Sequence, residues 1–236
     1  MESPPVRAPR AVLFDAYGTL FDVYSIAAAA ERSFPGHGDR VAVLWRDKQI
    51  EYTRLSSMSG QPRSFRECTL AGLRYAARRF DLALDGDGDG ERELMAAYER
   101  LALFPENRAV LVELRRRGVR AGILSNGDRD MLAAAVANAD IAALVDPVLS
   151  VEGTGRFKTD PATYAIGTHA LGLDAADVVF VSSNCWDAIG ATWFGYTTLW
   201  INRFGLPLDE LGARPTRIGT RLDDVLDFFA SERPTP

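Results

Sequence analysis

Residues 11–22 read Ala11-Val12-Leu13-Phe14-Asp15-Ala16-Tyr17-Gly18-Thr19-Leu20-Phe21-Asp22. Four apolar residues without alternation, stopped by a carboxylate and a glycine turn, predict a strand buried on both faces. The same plan recurs downstream. Ala121-Gly122-Ile123-Leu124 ends in Ser125, Pro147-Val148-Leu149-Ser150 is a short strand, Val178-Val179-Phe180-Val181 ends in Ser182, and Thr198-Leu199-Trp200-Ile201 follows. Helical patterns separate these runs over 108–117, 128–137, 161–171 and 186–194. Asp160 is placed to cap the third of these helices, with Pro161 at its first position. Unalternating strands separated by helices predict an α/β fold, a parallel sheet covered on both faces.

Residues 24–105 break the alternation. Val41, Leu44, Trp45, Lys48, Tyr52 and Leu55 lie three or four apart, as one helix face requires. Two further helices are expected over 65–80 and 91–103. The organisation is therefore a core of residues 1–23 and 106–236 with a helical insert, 24–105, after the first strand.

The chain has 236 residues, enough for one sizeable domain with an insert. A hydrophobic fraction of 47% with 25% charged residues excludes disordered and fibrous classes. The net charge of −5 argues against a general nucleic-acid binder. No apolar run reaches the roughly 18 residues of a membrane span, and the N-terminus lacks an apolar signal core. Two cysteines, Cys68 and Cys185, make no disulfide framework and fit a reducing compartment. A soluble, cytoplasmic protein with no nucleic-acid or membrane partner is the expectation.

Several chemistries are missing their motifs. There is no GxSxG, and Gly122-Ile123-Leu124-Ser125-Asn126-Gly127 has the wrong spacing for one. A P-loop is absent. His37 and His169 lack partner motifs and are read as structural. Asp85-Gly86-Asp87-Gly88-Asp89-Gly90 imitates a calcium loop, but position 12 is Ala96 and not glutamate, so it reads as a solvated loop.

Ligands of parallel α/β sheets collect beyond the carboxyl ends of the strands. There lie Asp15, Ser125, Lys158 and Ser182-Ser183-Asn184 with Asp187. Each has a plain structural reading; Asn184 and Asp187, three apart, could form a capping box. Their joint occurrence in order at strand ends points to a site.

That ordered set resembles the haloacid dehalogenase superfamily, and within it the L-2-haloacid dehalogenases. The resemblance rests on Asp15 to Asp22, Leu124-Ser125-Asn126-Gly127, Lys158 and Ser182-Ser183-Asn184-Cys185-Trp186-Asp187. It extends to Leu44-Trp45-Arg46-Asp47-Lys48-Gln49-Ile50-Glu51-Tyr52 and Trp200-Ile201-Asn202-Arg203, spanning residues 11 to about 229. It implies a Rossmannoid core with a helical cap. It also implies hydrolysis of L-2-haloalkanoic acids to D-2-hydroxyacids through an ester on Asp15, with halide and water as the other small partners. A homodimer is implied by the resemblance alone.

In that pattern Asp15 is the nucleophile, Lys158 pairs with it, and Arg46 and Asn126 assist the departing halide. Ser125 suits the substrate carboxylate. Asp187, Asn184 and Ser182 suit water, and Thr19 and Tyr164 support Asp15 and the substrate. Leu44, Trp45, Phe65 and Trp186 are candidate apolar walls. The superfamily's phosphatases carry a second aspartate two positions after the nucleophile, to protonate a leaving alcohol; here that residue is Tyr17. A halide leaves as an anion and needs no proton. Ser182, Ser183 and Asn184 beside Asp187 make a poor cage for a hard cation, so no metal and no cofactor are expected. Two departures stand out: Asp47 replaces the family's glutamine after the arginine, and Thr159 replaces the proline after the lysine. Two alternatives stay open here, a phosphatase of the same fold and a non-catalytic small-anion-binding protein. Magnesium-dependent phosphate release marks the first, and binding without turnover the second.

Overall fold

A computed structural model describes residues 9–84 and 88–230. Six strands form one sheet: β1 (Ala11–Phe14), β2 (Arg120–Ser125), β3 (Val148–Ser150), β4 (Val178–Ser182), β5 (Thr197–Ile201) and β6 (Arg217–Gly219). Their spatial order is β3-β2-β1-β4-β5-β6, and every pairing is parallel. Each crossover therefore returns the chain to the same edge, and all carboxyl ends lie together. From β1 the chain builds outward to β2 and β3 on one side, then to β4, β5 and β6 on the other. Beside β1 is thus the crevice where ligands bind in such sheets. The expected strands all form; β6 is the addition. It is three residues long at a sheet edge, and only its glycine is buried, so it carries no apolar run to signal it.

Register delivers the strand ends to one level. Phe14 pairs with Ile123 on one side and Val181 on the other, so Asp15 emerges beside Leu124–Ser125 and Ser182. The Asp15 N–H continues the ladder, donating to the Val181 carbonyl at 2.9 Å. Residues Ala11 to Phe14 and Val178 to Val181 are at most 1% exposed, which is why neither run alternates.

Among the described residues, four α-helices intervene between β1 and the helix that leads into β2: α1 (Ala27–Ser33), α2 (Gly38–Ser59), α3 (Phe65–Arg79) and α4 (Asp89–Tyr98). The core helices are α5 (Asn107–Arg116), α6 (Arg129–Asn138), α7 (Pro161–Leu171) and α8 (Cys185–Phe194). Local chemistry sets their ends. Ser64 and Glu67 form a reciprocal capping box at α3. Asp160 caps α7 by accepting from the Ala162 N–H, with Pro161 at the first position. The helix expected over 91–103 stops at Tyr98; Leu103 instead pairs with Phe21, where the chain returns to the core. Of the acidic string at 85–90, residues 85–87 lie outside the described residues.

Helix α7 lies close against the sheet because residue 167 has no side chain. A Cβ on Gly167 would strike the Tyr196 hydroxyl and come within 2.5 Å of Leu13. Overpacking of this kind costs typically about 1–3 kcal/mol. Gly167→Ala is expected to lower the urea midpoint correspondingly, despite alanine's better helix propensity; an unchanged or raised midpoint would show that the layer yields freely.

Candidate active site

Asp15 follows β1 and is 6% exposed. Its Oδ1 accepts from Lys158 Nζ at 3.1 Å. Its Oδ2 accepts from Thr19 Oγ1 at 3.0 Å and from Asn184 Nδ2 at 2.9 Å. The Thr19 hydroxyl in turn accepts from the Ser183 N–H, tying the end of β4 to the turn after β1. Asn107, at the start of α5, donates to the Thr19 and Leu20 carbonyls at 3.0 and 2.9 Å and fixes the same turn from below.

Lys158 is buried and reaches two carboxylates, with its Nζ also 3.0 Å from Asp187 Oδ2. Burial alone would lower the ammonium's pKa; Asp15 and Asp187 outweigh it and hold it above its ordinary value. Asp187 is fully buried. Desolvation pushes its carboxyl up to about 6, against the pull of Lys158, with Asp15 adding repulsion. Its Oδ1 accepts from the Tyr164 hydroxyl at 2.7 Å. Burial, with Asp187 alongside, keeps that phenol neutral.

The insert contributes Arg46, from α2 and 7% exposed. Its guanidinium donates to Gln49 Oε1 (2.6 Å), the Tyr17 carbonyl (2.9 Å) and Asn184 Oδ1 (3.4 Å). Gln49 is itself oriented by the Tyr98 hydroxyl, which donates to Oε1, and by Thr69, which accepts from Nε2. Gln49 and Tyr98 are absent from the sequence expectations. Gln49's one signal is its place three residues after Arg46 on the same face.

Asn126 Oδ1 accepts from the Lys158 backbone N–H at 3.0 Å, leaving its Nδ2 as a donor. Ser125 Oγ accepts from the Gly127 N–H, and Ser182 Oγ from the Asn184 N–H. Ser182 thus organises its own loop and makes no bond to Asp15 or Lys158. Phe65 and Tyr98 pack on Tyr17, with ring centroids 5.0 and 5.6 Å away. Tyr17 sits where a phosphatase would place its second acid. Its ring lies against Gly127, where any Cβ would come within 2.6 Å of it. Trp186 is half-buried at the entrance, under the Arg54 guanidinium at 4.9 Å. Trp45 donates to the Thr69 carbonyl, inside the insert.

Leu44 lies two residues before Arg46, about 200° round the helix, and is partly buried against the core. Asn184 and Asp187 form no capping box: Asn184 makes no side-chain cap at α8, and both side chains turn to Asp15 and Lys158 instead. The Asp47 departure is exposed, off the face that carries Arg46. The other departure, Thr159, follows a cis Lys158–Thr159 peptide.

Asp128 is a further residue missed by the sequence reading. It stands where α6 begins, yet its carboxylate does not cap that helix. Oδ1 and Oδ2 accept instead from the Phe65 and Arg66 N–H groups, each at 2.8 Å. The core thereby caps an insert helix, and the Ser125–Gly127 turn is joined to the start of α3. Burial pushes this carboxyl's pKa up, with the two N–H groups opposing. Among the described residues, no three His, Cys, Asp or Glu side chains converge as metal ligands.

A family model described as haloacid dehalogenase-like hydrolase matches residues 9–195. The chain is 42% identical to an (S)-2-haloacid dehalogenase of Pseudomonas sp. (strain YL), over 93% of this chain and 94% of that one. It is 40% identical to haloacetate dehalogenase H-2 of Moraxella sp. (strain B), over 93% and 97%. A crystal structure of an L-2-haloacid dehalogenase superposes with a TM-score of 0.90 at 50% identity, covering 94% of this chain and 99% of the other. The Xanthobacter autotrophicus L-2-haloacid dehalogenase with chloropropionic acid covalently bound superposes with a TM-score of 0.88 at 33% identity, covering 95% and 100%.

The raised Asp187 pKa gives a pH dependence with a definite sign. Only the ionised carboxylate accepts from both Lys158 and Tyr164. The Asp15–Lys158–Asp187 cluster should therefore lose catalytic competence as pH falls through about 6. A plot of kcat/KM against pH is expected to show an acid limb there, and Asp187→Asn to abolish that limb along with most activity. For stability the sign reverses. A folded-state pKa above the ordinary 3.8 favours the fold most below that value, and this contribution is lost as pH rises through about 6.

Proposed function

The chain belongs to the haloacid dehalogenase-like hydrolase family, and from that premise we propose that it hydrolyses L-2-haloalkanoic acids to D-2-hydroxyacids through an ester on Asp15. The observation that carries this reading is the environment of Asp15. It is a buried carboxylate paired with a buried ammonium, with a packed tyrosine in place of a proton-donating acid. A leaving alcohol would need that acid; a halide does not.

Oδ2 of Asp15 already accepts two hydrogen bonds and Oδ1 one, so Oδ1 is the attacking oxygen. It forms a bond to C2 as the carbon–halogen bond breaks, and halide departs with the electron pair, toward Arg46 and Asn126 Nδ2. The Ser125 hydroxyl, with backbone N–H groups of the turn after β2, receives the substrate carboxylate. Water then attacks the carboxyl carbon of the ester, the acyl carbon–oxygen bond breaks, one water proton passes to Asp187 and the other to the departing oxygen, and the hydroxyacid leaves with an oxygen that began in Asp15. Asp187, with Lys158, Tyr164 and Asn184, orients that water. Displacement inverts C2 once and ester hydrolysis leaves it untouched, which gives the D-product.

Residues 24–105 act in this reading as a cap. It brings Arg46 and Phe65 over the strand ends and excludes water from the halide step. The reaction needs no metal, because the Lys158 ammonium already spans the two carboxylates a cation would bridge. A cytoplasmic setting fits the two free cysteines. The homodimer rests on the resemblance.

A single turnover in heavy-oxygen water, with enzyme in excess, tests the covalent step. Label should enter Asp15, and the first product should carry unlabelled oxygen. Label in that product with Asp15 unlabelled would mean direct attack of water on C2. Halide release should also persist in EDTA; dependence on added magnesium would return the reading to a phosphatase.

A further inference from the structure

A groove of about 390 Å³ opens beside the candidate active site, between the start of the insert and the loop after β5. Its lining is divided in character. Arg46 and Asn184 lie at its inner end, and Asn184 Nδ2 is 2.9 Å from Asp15. Tyr24, Trp186, Phe204 and Leu206 form its outer walls. Three of these are large apolar side chains left open to solvent: Tyr24 at 39%, Phe204 at 62% and Leu206 at 58%. Clustered exposure of this kind marks a surface that something covers.

The walls are preformed. Asn202 grips Leu206 twice, its Nδ2 donating to the Leu206 carbonyl and its Oδ1 accepting the Leu206 N–H, at 2.8 and 2.9 Å. Phe204 meets Tyr24 edge-on, with centroids 6.0 Å apart. Gly18 lines the inner end at φ +92°, a backbone conformation that side chains disfavour.

A polar, cationic inner end with apolar walls fits a ligand with an electronegative head and an alkyl tail. We propose that the groove is a tail subsite. L-2-haloalkanoates with linear chains longer than those of two- and three-carbon acids react at Asp15 while their C2 alkyl chain lies along Trp186, Tyr24, Phe204 and Leu206. This rests on the reaction assigned to Asp15 above and extends it to medium-chain substrates.

The test compares kcat/KM for bromide release from L-2-bromopropanoate and L-2-bromooctanoate. Each methylene taken from water favours binding about fourfold. The wild-type protein should use the octanoate at least as well as the propanoate. Leu206→Asp and Phe204→Asp should each lower the octanoate-to-propanoate ratio at least tenfold, chiefly through KM. Both positions are exposed, so folding should survive, which thermal melts can check. Leu211→Asp, exposed and outside the groove, should keep the wild-type ratio. One ratio shared by all four proteins, or a wild-type protein that rejects the octanoate, overturns the subsite. An unchanged ratio with a shift in sedimentation for Leu206→Asp assigns the apolar rim to a second copy of the chain and equally overturns it. Bromide release from neither acid removes the Asp15 reaction itself and the subsite with it.

Discussion

One ammonium group between two buried carboxylates is the constraint on which this molecule turns. Lys158 Nζ lies 3.1 Å from Asp15 and 3.0 Å from Asp187, and all three side chains are at most 8% exposed. A buried charge without a partner costs several kcal/mol, so none of the three can be placed without the others. One cation cannot fully neutralise two anions, and the remaining demand is met by hydrogen bonds. Thr19 and Asn184 donate to Asp15, and Tyr164 donates to Asp187. The donors and charges come from two stretches of sequence, residues 15–19 and 158–187, with Lys158 143 residues from Asp15. They converge because a wholly parallel sheet brings every strand end to the same edge.

The same economy governs the insert. Arg46 enters a largely dry site and is held by neutral acceptors, the Gln49 amide and the Tyr17 carbonyl. Its positive charge is thus positioned without a carboxylate of its own. With Asp15, Lys158 and Asp187 it makes the group of four formally neutral. The cluster therefore carries no surplus of negative charge. Asp128 supplies the matching contact from the core side, its carboxylate at the positive end of α3. The turn after β2 and the helix that carries Phe65 are therefore joined by charge-assisted hydrogen bonds as well as by apolar packing.

The sequence by itself determined the sheet, its helical interruptions and most of the site's members. Fully buried strands write unbroken apolar runs, and helix ends write caps such as Asp160-Pro161; both signals depend on neighbours a few residues away. Asp15, Ser125, Lys158, Asn184 and Asp187 were legible because each lies near the end of a strand or the start of a helix. Tertiary structure alone decided where several of them point. Spacing allowed Asn184 and Asp187 to cap their own helix, yet both turn to partners 29 to 169 residues distant. Leu44 and Asp47, adjacent to the Arg46 stretch, fall on other faces of α2. Gln49 had only its spacing from Arg46 as a local mark, and Tyr98 and Asp128 had none, because a tyrosine or an aspartate acquires its role here only from a donor or acceptor on a distant segment. A side chain's periodicity is set by its own helix or strand; its hydrogen-bond partner is set by how the layers dock.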